Sequence, residues 1–378
     1  MLGTVQGLIG GIGYYVVPFL LMITPIVFFH ELGHFLVARA CGVRIETFSI
    51  GFGPEIFGWH DRAGTRWKVA WIPLGGYVKF FGDTNAASVP DRATLASMTA
   101  KERFEAFPLK PLYQRALIVA AGPAANFVLA IVILTGFLMA LGTYVAAPVV
   151  NKVEPASAAA QAGFRSGDTI LSINGAPVDS FDQIRGFVWD RAGQKLNVMV
   201  KRDGKPLALA VTPKLTTVEL AGGAQKVGLL GITGPTSPEQ WKHVTYGPVG
   251  AVTEASSETW SIVATTLDHL WRMIAGSGNA KELSGVIGIA KLSGDIAAVS
   301  YVSLFRLAAL ISVSIGLVNL FPIPILDGGH LLYYGFEVVL GRPLGAKAQD
   351  VGFRLGLAVM VGLMLLAAWN DLVRLNLF

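Results

Sequence analysis

One stretch of the chain places three ionisable residues inside a segment that is otherwise apolar enough to cross a membrane. Residues 26–37 read Ile-Val-Phe-Phe-His-Glu-Leu-Gly-His-Phe-Leu-Val, with His30, Glu31 and His34 as the polar members. An ionisable residue at bilayer depth costs roughly 2.5–3.5 kcal/mol on insertion scales, so three together need a compensating role. On a helix the two histidines lie four residues apart on one face, with Glu31 beside them. This His-Glu-x-x-His pattern is typical of zinc sites in which two imidazoles bind the metal and the carboxylate is the general base.

The composition is typical of a membrane protein. Of the 378 residues, 53% are hydrophobic and 15% are charged, whereas soluble domains have about 25% charged residues. The net charge of +5 comes without a basic run, so we expect no nucleic-acid partner. Cys41 is the only cysteine, which excludes an intrachain disulfide and a Cys-x-x-Cys metal site. The first apolar run lacks the charged start and the cleavage site of a signal peptide, so we interpret it as retained.

Runs of about twenty apolar residues are long enough to cross a bilayer. They predict a polytopic α-helical membrane protein with about four transmembrane helices, which lie in residues 1–39, 113–144, 298–330 and 351–374. The loop 40–112 contains nine lysines and arginines, and positive charge is enriched on the cytoplasmic side of membrane proteins. We therefore expect this loop in the cytoplasm and the amino terminus outside.

The third apolar run does not continue as one helix. Prolines and glycines interrupt it between Asn319 and His330, and because proline removes a backbone donor, the helix must unwind here. Irregular backbone at bilayer depth occurs only where it is buried in protein or lines a wet cavity. Asp327, within this segment, therefore indicates a site by the same argument as His30. We interpret His330, three residues later, as a structural histidine.

The loop 40–112 contains the first of two regions with strand-like sequence. Residues 44–50 and 67–80 favour strands, and turn sequences punctuate them at 51–54 and 73–77. Two arrangements are open. The strands form either a small soluble sheet or a sheet packed on the membrane face of the site, where an edge strand would hold an extended substrate.

The second such region is 148–214, which alternates short strands and helices with Asn-Gly and Asp-Gly turns. The order and wording of this segment resemble a PDZ domain of the bacterial protease type, which would be an inserted α+β domain. PDZ domains recognise extended peptides or carboxyl termini by strand addition. The residues leave open whether this one binds a peptide or only excludes bulky substrates. Residues 215–297 are expected to form an amphipathic connecting region, with a helix at 249–275 lying on a surface.

The predicted directions of the spans bring the ionisable residues together. With the amino terminus outside, the first and third spans run in the same direction, so His30 and Asp327 meet at similar depth toward the cytoplasm. Catalytic zinc usually has three protein ligands and one open position. We therefore predict Zn²⁺ as the cofactor, with His30, His34 and Asp327 as its ligands and Glu31 as the catalytic residue that takes a proton from water.

Two asparagines are further candidates for binding the substrate or an oxyanion. Asn319 stands at the start of the interruption in the third span, where its amide could donate a hydrogen bond to developing negative charge or hold the substrate backbone. Asn126 follows Gly122-Pro123 in the second span. Small residues let transmembrane helices approach closely, so this amide either joins two helices or supports the site.

Taken together, these motifs resemble the site-2 protease family, specifically its bacterial regulator-of-sigma-E protease type. With the PDZ-like insert they cover nearly the whole chain. The matching segments are His30 to His34, Gly51 to Gly53, Ile72 to Lys79, Gly122 to Asn126 and Asn319 to Gly329. Two departures from the family pattern stand out. There is one PDZ-like region where the best-known members have two, and Val286 stands where proline is frequent.

The resemblance implies a zinc-dependent intramembrane endopeptidase that acts in regulated intramembrane proteolysis. Its substrates would be single-span membrane proteins, namely anti-sigma factor-like proteins and remnant signal peptides, cut within their transmembrane segments. It also implies a multi-pass protein of the bacterial inner membrane, with the active site toward the cytoplasm. The residues 40–80 would form a membrane-associated β-element, and the PDZ-like region would face the periplasm as a size filter.

Two other classes of protein compete with this interpretation. Histidine and aspartate within a membrane also mark ion pathways, as in a metal transporter. However, the chain shows one compact ligand set and no inverted repeat. A catalytically idle scaffold that presents a PDZ domain is the other alternative. Glu31 argues against it, because a structural zinc site needs no additional general base.

Overall fold

The structure is a computed structural model that describes residues 2–82, 98–189, 191–220, 223–275 and 283–375. The helices are α1 (Leu2–Ala40), α2 (Ala100–Glu105), α3 (Leu112–Leu141), α4 (Ala158–Gln161), α5 (Phe181–Trp189), α6 (Pro248–Ile274), α7 (Val286–Val299), α8 (Ser303–Asn319), α9 (Asp327–Leu340) and α10 (Ala346–Arg374). The strands are β1 (Ile45–His60), β2 (Arg66–Phe80), β3 (Thr143–Ala146), β4 (Lys152–Val153), β5 (Thr169–Ile173), β6 (Ala176–Pro177), β7 (Leu196–Arg202), β8 (Lys205–Val211), β9 (Lys214–Leu220), β10 (Gly223–Leu229), β11 (Ile232–Thr233) and β12 (Trp241–Val244). The chain divides into two compact units, residues 1–137 with 251–267 and 280–378, and residues 138–250 with 268–279.

Three of the described helices are long and apolar enough to cross a membrane. These segments are Gly13–Ala40, Leu112–Leu141 and Lys347–Arg374. Helix α8, in the predicted third span, is apolar but has only 17 residues. It ends at Asn319 and α9 begins at Asp327, so the predicted interruption of the third run is present. The described part of the chain thus has three candidate spans and a shorter apolar helix where another was expected.

Strands β1 and β2 form an antiparallel two-stranded sheet that packs against α1. Phe48 of β1 is fully buried. Its ring stacks on Trp67 with 4.3 Å between the centroids and meets Phe35 of α1 edge to face at 5.6 Å. Each such aromatic contact contributes about 0.5–1.5 kcal/mol beyond the stabilisation that comes from burying its apolar area. The sheet is therefore held on the helix that carries the His-Glu-x-x-His pattern.

Residues 47–50 pair with 76–79 on one side and with 66–69 on the other, so the hairpin of β1 and β2 folds back near the predicted turns at 51–54 and 73–77, although both segments lie within strands. Gly51 and Gly75 have φ angles of +88° and +142°, and the pairing register of the sheet shifts repeatedly along this part of β1. A bulge of this kind bends a strand and leaves its pairing to continue beyond. The chain also reverses at residues 61–65, where the Asp61 carboxylate accepts hydrogen bonds from two backbone amides of the turn.

The second unit contains a four-stranded antiparallel sheet in the order β6-β5-β7-β8. Alternate residues of β7, namely Leu196, Val198 and Val200, are buried in an apolar core that also includes Ile184 of α5. The alternation follows from the two-residue period of a strand. Three smaller pairings accompany this sheet in the described residues: β3 with β12, β4 with β11, and β9 with β10.

The elements of this unit depart from the predicted boundaries at both ends. The prediction extends the second span to residue 144, whereas α3 ends at Leu141 and β3 then pairs with β12. The prediction makes 215–297 an amphipathic connection, whereas its first part contains β9 to β12, two of which pair with β4 and β3. Strands of two to four residues are too short to show a hydrophobic period, so their distant partners leave no sequence signal. The helix predicted at 249–275 is present as α6.

A buried ion pair stabilises the second unit. Asp168 is 1% exposed and accepts hydrogen bonds of 2.7 Å from both Nε and Nη2 of Arg202. Burial acts to raise the pKa of Asp168, but the hydrogen bonds from the Arg202 guanidinium and the Arg165 amide outweigh it and hold the pKa below its usual range. Because the folded pKa lies below the unfolded one, the ionised carboxylate stabilises the fold above the unfolded pKa. That stabilisation is lost as the pH falls through the folded pKa.

We predict that Asp168→Asn destabilises the second unit at pH 7 by roughly 2–3 kcal/mol, because Arg202 loses a charged acceptor. The difference from the wild type should shrink below about pH 4, where the unfolded carboxylate takes up its proton. Amide hydrogen exchange of residues 196–211 in the full-length protein measures both effects. Equal protection of this segment in the two proteins at pH 7 would contradict the prediction.

Candidate metal centre

Two helices of the first unit bring three ligand-type side chains together. On α1, His30 and His34 place their Nε2 atoms 3.3 Å apart. Asp327, the first residue of α9, has Oδ2 at 3.2 Å from His30 Nε2 and Oδ1 at 3.5 Å from His34 Nε2. The histidines are 9% and 8% exposed. The structure thus brings together the three residues predicted as ligands, and their ligand atoms all lie within 4.8 Å of one another.

The spacing and chemistry of this group fit zinc. Ligand atoms that lie about 2.0–2.1 Å from zinc at tetrahedral angles are about 3.3–3.4 Å apart. The two imidazole Nε2 atoms are 3.3 Å apart, and each lies near a different oxygen of the Asp327 carboxylate, at 3.2 and 3.5 Å. Asp327 Oδ2 is buried and receives no hydrogen bond from the described residues. A buried polar atom without a partner is unfavourable, and a cation held by the three residues would supply one. Two imidazoles with one carboxylate are also a known donor set for catalytic zinc.

The orientation of His34 is set by helix α3. Its Nδ1 donates a hydrogen bond of 2.8 Å to the carbonyl oxygen of Ile118, which leaves the lone pair of Nε2 facing the other ligands. The face of the same ring lies on Gly122, where an added Cβ would collide with Nε2. An added Cβ at Gly33 of α1 would likewise collide with the Ala121 carbonyl oxygen. Small residues on both helices therefore let α1 and α3 approach closely enough for this contact.

Helix α9, which carries Asp327, is also fastened to α3. Arg115 of α3 donates a hydrogen bond of 2.6 Å to Glu337 of α9, and both side chains are largely buried. The Arg115 guanidinium also lies over the Tyr334 ring, 4.9 Å from its centroid. A largely buried pair of this kind fixes the two helices relative to each other. Helix α3 therefore carries the Ile118 carbonyl that orients His34 and also holds the helix that carries Asp327.

A cavity of about 290 Å³ opens on the three residues. Glu31, the predicted catalytic residue, lines it, together with Asn319 at the end of α8 and His330 of α9. Strand β2 passes close to this wall. An added Cβ at Gly76 would lie 3.0 Å from Glu31 Cγ and 2.7 Å from the Ser49 carbonyl oxygen. The close approach of β2 places a strand directly beside the carboxylate.

Asn126 occupies a different place from the one predicted. As a candidate for substrate or oxyanion binding it should line the cavity, but it is not among the lining residues and is 0% exposed. Its Nδ2 lies 3.2 Å from His30 Nδ1, on the opposite side of the ring from the atom that faces Asp327. Asn126 lies behind His30 and outside the lining of the cavity, which agrees with the alternative that this amide supports the site and not with a substrate contact. Of the two asparagines, only Asn319 faces the cavity.

Several residues that shape the site have no signal of their own in the sequence. Ile118 acts through its carbonyl, which any residue possesses, and Gly76 is one of many glycines in the chain. One signal was available. Gly122 and Asn126 are four residues apart on α3, and they meet His34 and His30, which are four residues apart on α1. Equal spacing on two helices is what side-by-side packing of their faces produces.

A group of two imidazoles and one carboxylate, with a second carboxylate lining the same cavity, defines the site of a zinc-dependent hydrolase. Comparison with known proteins agrees. The family model for "Peptidase family M50" matches residues 18–363. The metalloprotease MmpA of Caulobacter vibrioides is 42% identical over 96% of each chain. A provisionally named zinc metalloprotease of Agrobacterium fabrum is 44% identical over 98% of this chain and 99% of its own.

The regulator of sigma-E protease RseP of Escherichia coli is more distant, at 32% identity over 94% of this chain and 98% of its own. The chain belongs to peptidase family M50, the site-2 proteases. It is a metalloprotease, and its cofactor is zinc. The enzyme class and the cofactor predicted from the sequence are thereby confirmed.

We predict that Gly122→Ala weakens zinc binding at least tenfold, because the new methyl group would displace the His34 ring. Gly136→Ala on the same helix is the matched control, since an added Cβ there meets no atom within 4 Å. Competition with a chromogenic chelator measures the zinc affinity of both purified variants. Wild-type affinity in Gly122→Ala would refute the assigned contact.

Proposed function

We propose that the protein is an intramembrane endopeptidase that hydrolyses peptide bonds within the transmembrane segments of single-span membrane proteins. The proposal depends mainly on where the site lies. His30 belongs to Gly13–Ala40, a helix that is apolar enough to cross a membrane. It stands ten residues from the Ala40 end, about 15 Å along the helix axis. In a bilayer core of about 30 Å that ends near Ala40, this is close to the middle.

Each residue of the site has a role in hydrolysis. His30, His34 and Asp327 would hold the metal, which when bound polarises a carbonyl group and makes water more acidic. Glu31 takes the proton from the attacking water and passes it to the amine that leaves. Asn319 faces the same cavity, where its amide donates a hydrogen bond to the substrate backbone or to the oxygen that becomes negative.

Strand β2 provides a route by which a membrane segment would reach the site. Residues 71–74 line an apolar groove of about 610 Å³ together with parts of α1 and α7, whereas Tyr77, Val78 and Phe80 line the active-site cavity. Residues 76–80 of β2 pair with 45–50 of β1 on one side, and no described strand pairs with their other side. A substrate helix in the groove would unwind along this edge, where strand addition would hold it extended for cleavage.

The membrane arrangement is part of the same proposal. The apolar helix α8, with 17 residues, is about 26 Å long and would complete four spans together with the three longer helices. The loop 40–112 would be cytoplasmic, with β1 and β2 as a membrane-associated β-element. Several large apolar side chains of these strands support this, because they are exposed: Phe52, Ile56, Phe57, Trp59, Trp71, Ile72 and Leu74. The location would be the bacterial inner membrane.

The second unit would be a periplasmic PDZ-like domain. Between α5 and residues 228–236 it has a groove of about 460 Å³, lined by Phe181, Ile184 and Val188 on the helix side. An extended peptide fits such a groove by strand addition. A domain with this groove would either bind a peptide or limit the size of the substrates. Anti-sigma factor-like proteins and remnant signal peptides are the substrates we propose, supported by the name of the Escherichia coli relative.

We predict that Glu31→Gln retains zinc but abolishes cleavage of a single-span membrane protein, with a loss of at least 10²-fold. The amide keeps the size of the side chain but cannot accept the proton from water. Purified protein in detergent or vesicles, offered a panel of single-span proteins, gives the cleavage rate, and mass spectrometry locates the products.

His34→Ala and Asp327→Asn are the companion variants and should lose zinc as well as activity, because each removes a ligand. Normal cleavage by Glu31→Gln would refute the role of the carboxylate. Full metal content in both companion variants would refute the ligand set. Products cut outside the transmembrane segment would refute the intramembrane reaction and leave the zinc site untouched.

We predict that Leu74→Arg lowers kcat/KM for a membrane-embedded substrate roughly tenfold, which corresponds to about 1.4 kcal/mol of lost contact. Cleavage of a short soluble peptide with the same scissile bond should be unchanged, because it does not need the groove. Phe57→Arg is the control, since Phe57 is an exposed apolar residue of the same sheet outside the groove. Equal losses for both substrates, or for both variants, would exclude the groove as the docking site.

A further inference from the structure

One polar atom of the buried Asn126 amide has a close partner, and the other has no hydrogen bond among the described residues. Its Nδ2 stands 3.2 Å from Nδ1 of His30, and its Oδ1 is buried without a hydrogen bond from any described residue. The two ends of an amide group are exchanged by a half-turn about the last side-chain bond, and the hydrogen-bond network decides which end is which. The choice determines what the His30 ring can do.

With the nitrogen of the amide toward the ring, His30 Nδ1 must accept a hydrogen bond. The proton of a neutral imidazole then resides on Nε2, which is the atom that faces His34 and Asp327. A protonated Nε2 has no lone pair for a metal. With the oxygen toward the ring, Nδ1 carries the proton and donates it to Oδ1. Nε2 is then free to ligate, Oδ1 has the partner it otherwise lacks, and Nδ2 takes the buried position that Oδ1 held.

We propose that Asn126 is a positioning residue for the metal centre, whose Oδ1 accepts the Nδ1 proton of His30 and so keeps Nε2 available as a ligand atom. The inference rests on the ligand set proposed above. It gives His30 the same support that His34 receives from the Ile118 carbonyl. Ile118 and Asn126 are eight residues, or about two turns, apart on α3. One face of α3 therefore orients both imidazoles.

Asn126 is itself held in place from the other side. Its backbone carbonyl accepts a hydrogen bond of 2.8 Å from Ser312 of α8. An added Cβ at Gly316 would come within 3.1 Å of Asn126 Cβ, so α8 packs directly behind it. The side chain has little room to move away from His30. Metal-bound histidines generally donate their second N–H to such a partner, and loss of the partner weakens metal binding about 10–100-fold.

The test compares zinc affinity in three variants of the full-length protein. Asn126→Leu keeps the approximate size but has no acceptor, and we expect its zinc affinity to fall by about 10–100-fold. Asn126→Asp keeps an acceptor oxygen and should remain within about threefold of the wild type. Ser312→Ala is the matched control. It removes a buried hydrogen bond from the same helix contact but leaves the Asn126 side chain, and should also stay within about threefold.

Chelator competition in detergent measures the affinities, and the visible spectrum of the Co²⁺-substituted proteins reports the ligand field independently of activity. Wild-type affinity and an unchanged Co²⁺ spectrum in Asn126→Leu would overturn the inference. An equal loss in Asn126→Asp, or in Ser312→Ala, would also overturn it, because packing rather than the acceptor would then be responsible. If Asn126→Leu does not fold, Asn126→Ala takes its place with the same expectation.

Two further results separate this inference from the proposed function. His30→Ala should lose zinc far more completely than Asn126→Leu. If His30→Ala retains zinc, the ligand set itself fails. If His30→Ala loses zinc and Asn126→Leu does not, only the positioning role fails. For a substrate that is cleaved, a raised KM with normal zinc affinity in Asn126→Leu would instead make Asn126 a substrate contact and contradict the inference.

Discussion

The close packing of α1 on α3 is the contact on which the rest of the site depends. Gly33 and Gly122 let the two helices approach until the His34 ring lies against the backbone of α3. The histidines then reach, on that same face, the Ile118 carbonyl and the Asn126 amide. Helix α9 is joined to α3 by the Arg115–Glu337 pair. Asp327, which α9 carries, is therefore also positioned relative to α3. A methyl group at this contact would disturb every distance in the centre.

The apolar surroundings explain why the centre needs so many partners. Two imidazoles and a carboxylate buried beside an apolar helix are unfavourable unless each polar atom is paired. On the side of the site away from the cavity, hydrogen bonds that involve Ile118, Asn126 and Ser312 provide most of this pairing. On the side of the three ligands, Asp327 Oδ2 lacks a hydrogen bond within the described residues. The polar atoms of the site are hydrogen-bonded on the side away from the cavity, and Asp327 Oδ2 is left without a hydrogen bond from the described part of the chain. Such a site is suited to a cation and to a substrate that arrives from the cavity.

Much of this centre follows from residue spacing, and the errors have physical causes. His30, His34 and Asp327 meet as predicted because ionisable residues in apolar runs have few places to go. Prolines after Asn319 end α8 where the missing backbone donors require it. The turns predicted at 51–54 and 73–77 coincide with bends inside continuous strands, because glycine bends a twisted strand as readily as it ends one. Strands β11 and β12 and the place of Asn126 depend on distant contacts, which a local pattern does not contain.

X-ray absorption at the zinc edge of the purified wild-type protein tests the central claim most directly. Scattering from two imidazole rings and from oxygen ligands, namely the Asp327 carboxylate and any solvent oxygen in the open position, all at about 2.0–2.2 Å, is the result expected for a centre built from His30, His34 and Asp327. A sulfur neighbour at about 2.3 Å would point to Cys41, the only cysteine of the chain. That result, or scattering from fewer than two imidazoles, would contradict the account.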